Sequence, residues 1–148
     1  FSIAGSGALD TCELLDPRTA AWQTLPPMLQ RRSCLSATPM GEHRILVAGG
    51  HDGTQALASA EIFDQRVNKW EEISSMPTAR SGLAAVADAE GKVWALGGYP
   101  DGTVANSAAH ALPTVEVWHE ATRCWSTEPD MRCGRTGAGA VALLFSEG

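Results

Sequence analysis

The stretch Ile45-Leu46-Val47-Ala48-Gly49-Gly50 runs into His51-Asp52-Gly53, then into Ala60-Glu61-Ile62-Phe63-Asp64, and then reaches Trp70. An apolar run that ends in two glycines reads as a buried strand entering a tight turn. Residues 60–64 form the next strand, and Asp64 opens a second turn toward Trp70.

The same unit stands on both sides of this stretch. Downstream, Val93-Trp94-Ala95-Leu96-Gly97-Gly98 precedes Val115-Glu116-Val117-Trp118 and Trp125. Upstream, Ile3-Ala4-Gly5 precedes Cys12-Glu13-Leu14-Leu15-Asp16 and Trp22. Glu13 to Trp22, Glu61 to Trp70 and Glu116 to Trp125 are each nine residues. Met28, Met76 and Met131 follow six residues after each tryptophan, and Arg32, Arg80 and Arg135 four residues later again. The repeat step is 48 and then 55 residues, and all the variation lies between the glycines and the glutamate, where a surface loop tolerates it.

Taken in order, strands are expected at 1–5, 11–15 and 21–25, with Pro26-Pro27 ending the pairing. A complete unit follows, with strands at 31–40, 45–48, 58–63 and 69–73. The next has strands at 83–87, 93–96, 113–118 and 124–127, and residues 137–145 make one more apolar strand. The units are therefore 1–28, lacking its first strand, 29–76, 77–131 and 132–148. Helix is nearly absent from this reading.

Glycine pair, glutamate, turn and tryptophan at this spacing resemble the kelch repeat, whose period is about 50 residues. The resemblance covers essentially the whole chain. Two departures stand out: Gly5-Ser6 replaces a glycine pair, and His119-Glu120 stands where the other units have Asp16-Pro17 and Asp64-Gln65. The resemblance implies an all-β, kelch-type β-propeller fold, each unit being one four-stranded antiparallel blade. A single blade cannot bury both apolar faces, so neighbours supply the core, with Trp22, Trp70 and Trp125 as wedges between blades. Each buried wedge contributes on the order of 1.5–3 kcal/mol. Propellers have about 4–8 blades, so roughly three blades make either part of a six- or seven-bladed ring or half of a twofold homodimer.

Composition narrows the function classes. A net charge of −6 argues against a general nucleic-acid role, which needs clustered Lys and Arg. Cys12, Cys34, Cys124 and Cys133 form no Cys-x-x-Cys pair. They read as free thiols in a reducing compartment, the cytoplasm, with Cys12 and Cys34 packed in strands. No apolar run approaches the roughly 20 residues of a membrane-spanning helix. No metal ligand set, nucleophile elbow or phosphate loop is legible, so no cofactor and no catalysis are expected. Gly49-Gly50 and Gly97-Gly98 lead from strand to strand, so no helix N-terminus stands ready for a phosphate.

Glu13, Glu61 and Glu116 sit between apolar strand residues, a place for a structural carboxylate bonded to backbone amides or an arginine. Two readings are open for Arg32, Arg80 and Arg135. The resemblance implies that their crossing loops open on one end of the channel, together with His51 and Tyr99, which follow the glycine pairs. Ser33, Ser81 and Thr136 follow the arginines. That set would offer a protein or acidic peptide partner a partial ring of donors. The other reading is a structural one, in which the arginines bond the repeated glutamates or loop carbonyls. The excess length in the third unit falls within 100–112 and is a candidate contact loop. The function implied is a non-catalytic interaction scaffold. A substrate receptor of a ubiquitin ligase is the alternative, and a propeller enzyme a third class.

Overall fold

The structure, a computed structural model, describes residues 2–3, 7–101 and 110–143. Three antiparallel sheets follow one another along the chain. The first is β1 (Ser2–Ile3), β2 (Cys12–Asp16) and β3 (Ala21–Leu25). The second is β4 (Ser36–Met40), β5 (Arg44–Ala48), β6 (Ala60–Asp64) and β7 (Lys69–Ile73). The third is β8 (Ala84–Ala87), β9 (Val93–Leu96), β10 (Val115–His119) and β11 (Cys124–Glu128). Within each sheet, strands that are consecutive in sequence lie side by side, the up-and-down meander of a propeller blade.

The central sheet is apolar on both faces because it has a neighbour on each side. Leu46, Ala48, Ala60 and Ile62 pack against Val93, Ala95 and Trp118 of the third sheet. Val47 and Phe63 face the other way, onto Cys12, Leu25 and Met28 of the first unit. This two-sided burial explains why β5 reads as a continuous apolar run from Ile45 to Ala48 and not as an alternating one.

Trp70 is the wedge between the first two blades. It is 9% exposed, and its indole Nε1 donates to Pro26 O at 2.9 Å. One repeat later, Trp125 Nε1 donates to Ser74 O at 2.8 Å and its ring packs on the core between the second and third blades. Trp22 differs from the expectation: it is 55% exposed, because no described blade stands on its side.

The three outer hairpins share one turn, with Ala20, Asn68 and Arg123 each at φ 53°. Asp16 and Asp64 fix it in the first two units by accepting the backbone N–H of Arg18 and Arg66, both at 2.9 Å. The Arg66 guanidinium also draws the Asp64 pKa down to about 2. His119 cannot copy that carboxylate, yet the Arg123 N–H still reaches His119 O at 2.8 Å and the turn is retained.

Three boundaries differ from the sequence reading. Residues 31–35 are not continuous strand: Arg32 bridges to Leu9, Ser33 bridges to His51, and the ladder begins at Ser36. Cys34 is exposed, not packed in a strand, and sits at φ 50°. Residues 137–143 pair with no described strand, since a strand requires a hydrogen-bonded neighbour; 144 and 145 lie outside the described residues.

All four cysteines are free. Burial raises the Cys12 thiol to a pKa of about 11. No helix among the described residues is long and apolar enough to cross a membrane.

Candidate functional site

Each internal crossing carries a buried arginine hub. Arg32 and Arg80 are fully buried. Arg32 Nη1 donates to Gly49 O at 2.8 Å and to Ser59 O at 3.1 Å, and its Nη2 reaches Ser59 Oγ at 3.2 Å and Glu61 Oε1 at 2.6 Å. Arg80 repeats the set, with Gly97 O at 2.9 Å, Thr114 O at 3.2 Å, Thr114 Oγ1 at 3.0 Å and Glu116 Oε1 at 2.7 Å. Burial pulls the Arg80 guanidinium below its usual pKa, and the Glu116 carboxylate opposes that.

The glycine pair joins this hub to the next one. Gly49 O accepts from the Arg32 side chain, while Gly50 N donates to the backbone carbonyl of Arg80 at 2.9 Å. In the third unit Gly97 O accepts from Arg80, and Gly98 N donates to Arg135 O at 2.9 Å. A Cβ at Gly49 would lie 2.4 Å from Arg80 O, and one at Gly97 2.2 Å from Arg135 O, so the backbones meet only because no side chain intervenes.

This geometry corrects the partner-facing assignment of Arg32 and Arg80. Their guanidinium groups lie inside the blade, the two terminal nitrogens bonded to carbonyls, a hydroxyl and a carboxylate, where no partner reaches them. Ser81 is buried as well. Arg135, at the same repeat position, is exposed, and so is Glu13 at the opposite end of the array.

What remains outside forms a rim. Ser33 and His51 exchange backbone hydrogen bonds at 2.9 and 2.8 Å, and Ser81 and Tyr99 do the same at the same distances. The residue after each glycine pair is thus pinned at an equivalent place in two successive blades. Both His51 and Tyr99 are half-buried. His51 Nδ1 accepts the Gly53 N–H at 3.0 Å, so the neutral ring carries its proton on Nε2. Ser33 Oγ donates to His51 O and Thr136 Oγ1 to Gly82 O, both at 3.2 Å, so these hydroxyls are committed locally. The 100–112 candidate loop falls largely outside the described residues, which stop at 101 and resume at 110.

A backbone relay ties the rim together from blade to blade. Gly82 N donates to Cys34 O and Gly137 N donates to Gly82 O, each at 2.8 Å. All three positions are left-handed, with φ of 50°, 65° and 60° for Cys34, Gly82 and Gly137. Glycine takes this conformation freely and a cysteine does not. Cys34→Gly is therefore expected to raise stability by about 1 kcal/mol, read as a higher urea midpoint with unchanged slope; an unchanged or lower midpoint would contradict it.

Several site features had no clear sequence signal. Ser59 and Thr114 each stand two residues before their glutamate, a spacing visible only once the hub is known. Ser36 Oγ and Thr38 Oγ1 accept the N–H groups of Ala85 and Ala87 at 2.9 and 3.2 Å, linking the inner strands of adjacent blades. Among the described residues no three His, Cys, Asp or Glu side chains converge as metal ligands.

Comparison with known proteins places this geometry. A Kelch motif model matches residues 31–77. No curated protein matches the sequence. Among solved structures, a fungal alcohol oxidase of the AA5 family in complex with copper superposes with a TM-score of 0.73 at 17% identity, over 88% of this chain and 29% of that one. The structure of YjhT superposes with a TM-score of 0.72 at 15% identity, over 88% of this chain and 41% of that one. The chain thus spans less than half the length of either. It carries a Kelch motif, and its fold is that of blades of a kelch-type β-propeller.

Proposed function

We propose that this chain is the part of a propeller that binds a partner protein through its rim, as a non-catalytic interaction module. The observation that supports the reading is the pair His51 and Tyr99. The same backbone exchange holds both at one repeated position, yet their side chains differ. A rigid frame that presents different side chains at equivalent sites is how recognition surfaces are built.

The chemistry of that rim suits an acceptor-rich segment. His51 offers an Nε2–H and exposed Arg135 a guanidinium, which grips carboxylates bidentately, and Tyr99 stands at the repeat position of His51. An acidic peptide segment is the class of ligand this favours. Four free thiols suit a reducing compartment, and we place the interaction in the cytoplasm.

The test is selection of a displayed random peptide library on the purified chain. Enrichment of Asp- and Glu-bearing peptides is expected, with affinity reduced about tenfold or more in the Tyr99→Ala and Arg135→Ala variants at unchanged thermal stability. No enrichment, or binding that survives both substitutions, would refute the reading.

A further inference from the structure

The two arginine hubs differ at their carboxylate, which meets three N–H donors in the second unit and one in the third. In the second unit Glu61 Oε2 accepts the Leu29 N–H at 2.7 Å, and Oε1 takes Gln30 N at 3.1 Å and Arg32 Nη2 at 2.6 Å. Both oxygens therefore face N–H donors. In the third unit Glu116 Oε1 meets Arg80 Nη2 at 2.7 Å, but Oε2 is buried and has no partner among the described residues.

The sequence supplies the reason. Pro77 stands one repeat step of 48 residues after Leu29, and proline has no N–H to give. The carboxylate that should receive that N–H is nevertheless retained, 1% exposed. A buried carboxylate oxygen left without a donor is costly, and native structures fill such positions.

We propose that a buried water molecule donates to Glu116 Oε2 in place of the N–H that Pro77 lacks. Water is the donor whose chemistry fits. A cation would sit against the Arg80 guanidinium, and an anion against the carboxylate itself. Buried waters commonly serve polar groups stranded in this way, making about three hydrogen bonds each. Arg80 Nε of the same hub is also buried and unpartnered. Arg32 Nε is unpartnered too, so that feature is common to both hubs, whereas the stranded carboxylate oxygen belongs to the third unit alone.

A crystal structure of the chain with ordered solvent tests this directly. A peak is expected about 2.7–3.0 Å from Glu116 Oε2 and none at Glu61 Oε2. A dry Oε2, or a protein donor in that place, overturns the proposal. Pro77→Leu returns the N–H and should remove the peak; a peak that persists means the missing N–H is not its cause.

Glutamine substitutions provide a solution measurement that needs no crystal. Both Glu61→Gln and Glu116→Gln remove the charge opposite an arginine. Only Glu61→Gln must also turn its amide NH2 against a protein donor, whereas the amide at 116 can face a water able to accept. The folding equilibrium constant should fall about tenfold or more further in Glu61→Gln than in Glu116→Gln. Equal losses overturn the proposal.

Discussion

Arg80→Ala is expected to destabilise the chain by about 3–5 kcal/mol, the range for breaking a buried pair by removing one partner. The cost has two sources. Glu116 is left charged and buried with no cation beside it. Gly97 O, Thr114 O and Thr114 Oγ1 lose the donor that satisfied them. Solvent does not soften the loss, because the side chains of the pair are 0% and 1% exposed. Arg80→Lys should recover little, since one ammonium cannot span the acceptors that a planar guanidinium fork reaches. Replacing both members by apolar residues of similar volume, Arg80→Met with Glu116→Leu, should cost far less than Arg80→Ala alone, because no charge is then stranded. Urea unfolding followed by far-ultraviolet circular dichroism measures all of these. A loss below about 1 kcal/mol for Arg80→Ala would mean that the guanidinium is solvated, and the interior assignment would fail.

That assignment shows where the sequence stopped being informative. The fixed spacing of glutamate, tryptophan, methionine and arginine was enough to place the strands, because each spacing spans one hairpin or one crossing of constant length. Spacing alone could not say which way Arg32 and Arg80 point. A repeated arginine in a crossing loop suits both a ligand-facing ring and an interior hub, and the choice depends on where the Gly49 and Gly97 carbonyls aim. Those carbonyls turn inward because both glycines are left-handed, at φ 63° and 67°, a backbone fact that residue identity suggests but does not orient. The left-handed Cys34 was hidden for a related reason: its equivalents are Gly82 and Gly137, and only a comparison across units exposes cysteine as the odd member. Residues 137–145 read as a strand from composition, yet pairing depends on a neighbour that composition does not supply.

The tryptophans carry the other large expectation, and they test blade stacking directly. Trp70→Ala should cost about 3–5 kcal/mol, while Trp22→Ala, at the same repeat position, should stay within about 0.5 kcal/mol. Trp70 bridges two blades: its ring lies 5.2 Å from Phe63 of its own sheet and packs on Cys12, Leu25 and Met28 of the preceding unit. Truncation opens a cavity in that cluster and leaves Pro26 O without the indole donor. Trp22 stands in solvent over half its surface and closes no such joint. Fluorescence of the two single variants supplies an independent reading. Loss of Trp22 should remove the emission most readily quenched by acrylamide, and loss of Trp70 should not. Equal destabilisation by the two substitutions would show that tryptophan stabilises each hairpin locally, through its own turn, and would remove the energetic reason for blades to stand side by side.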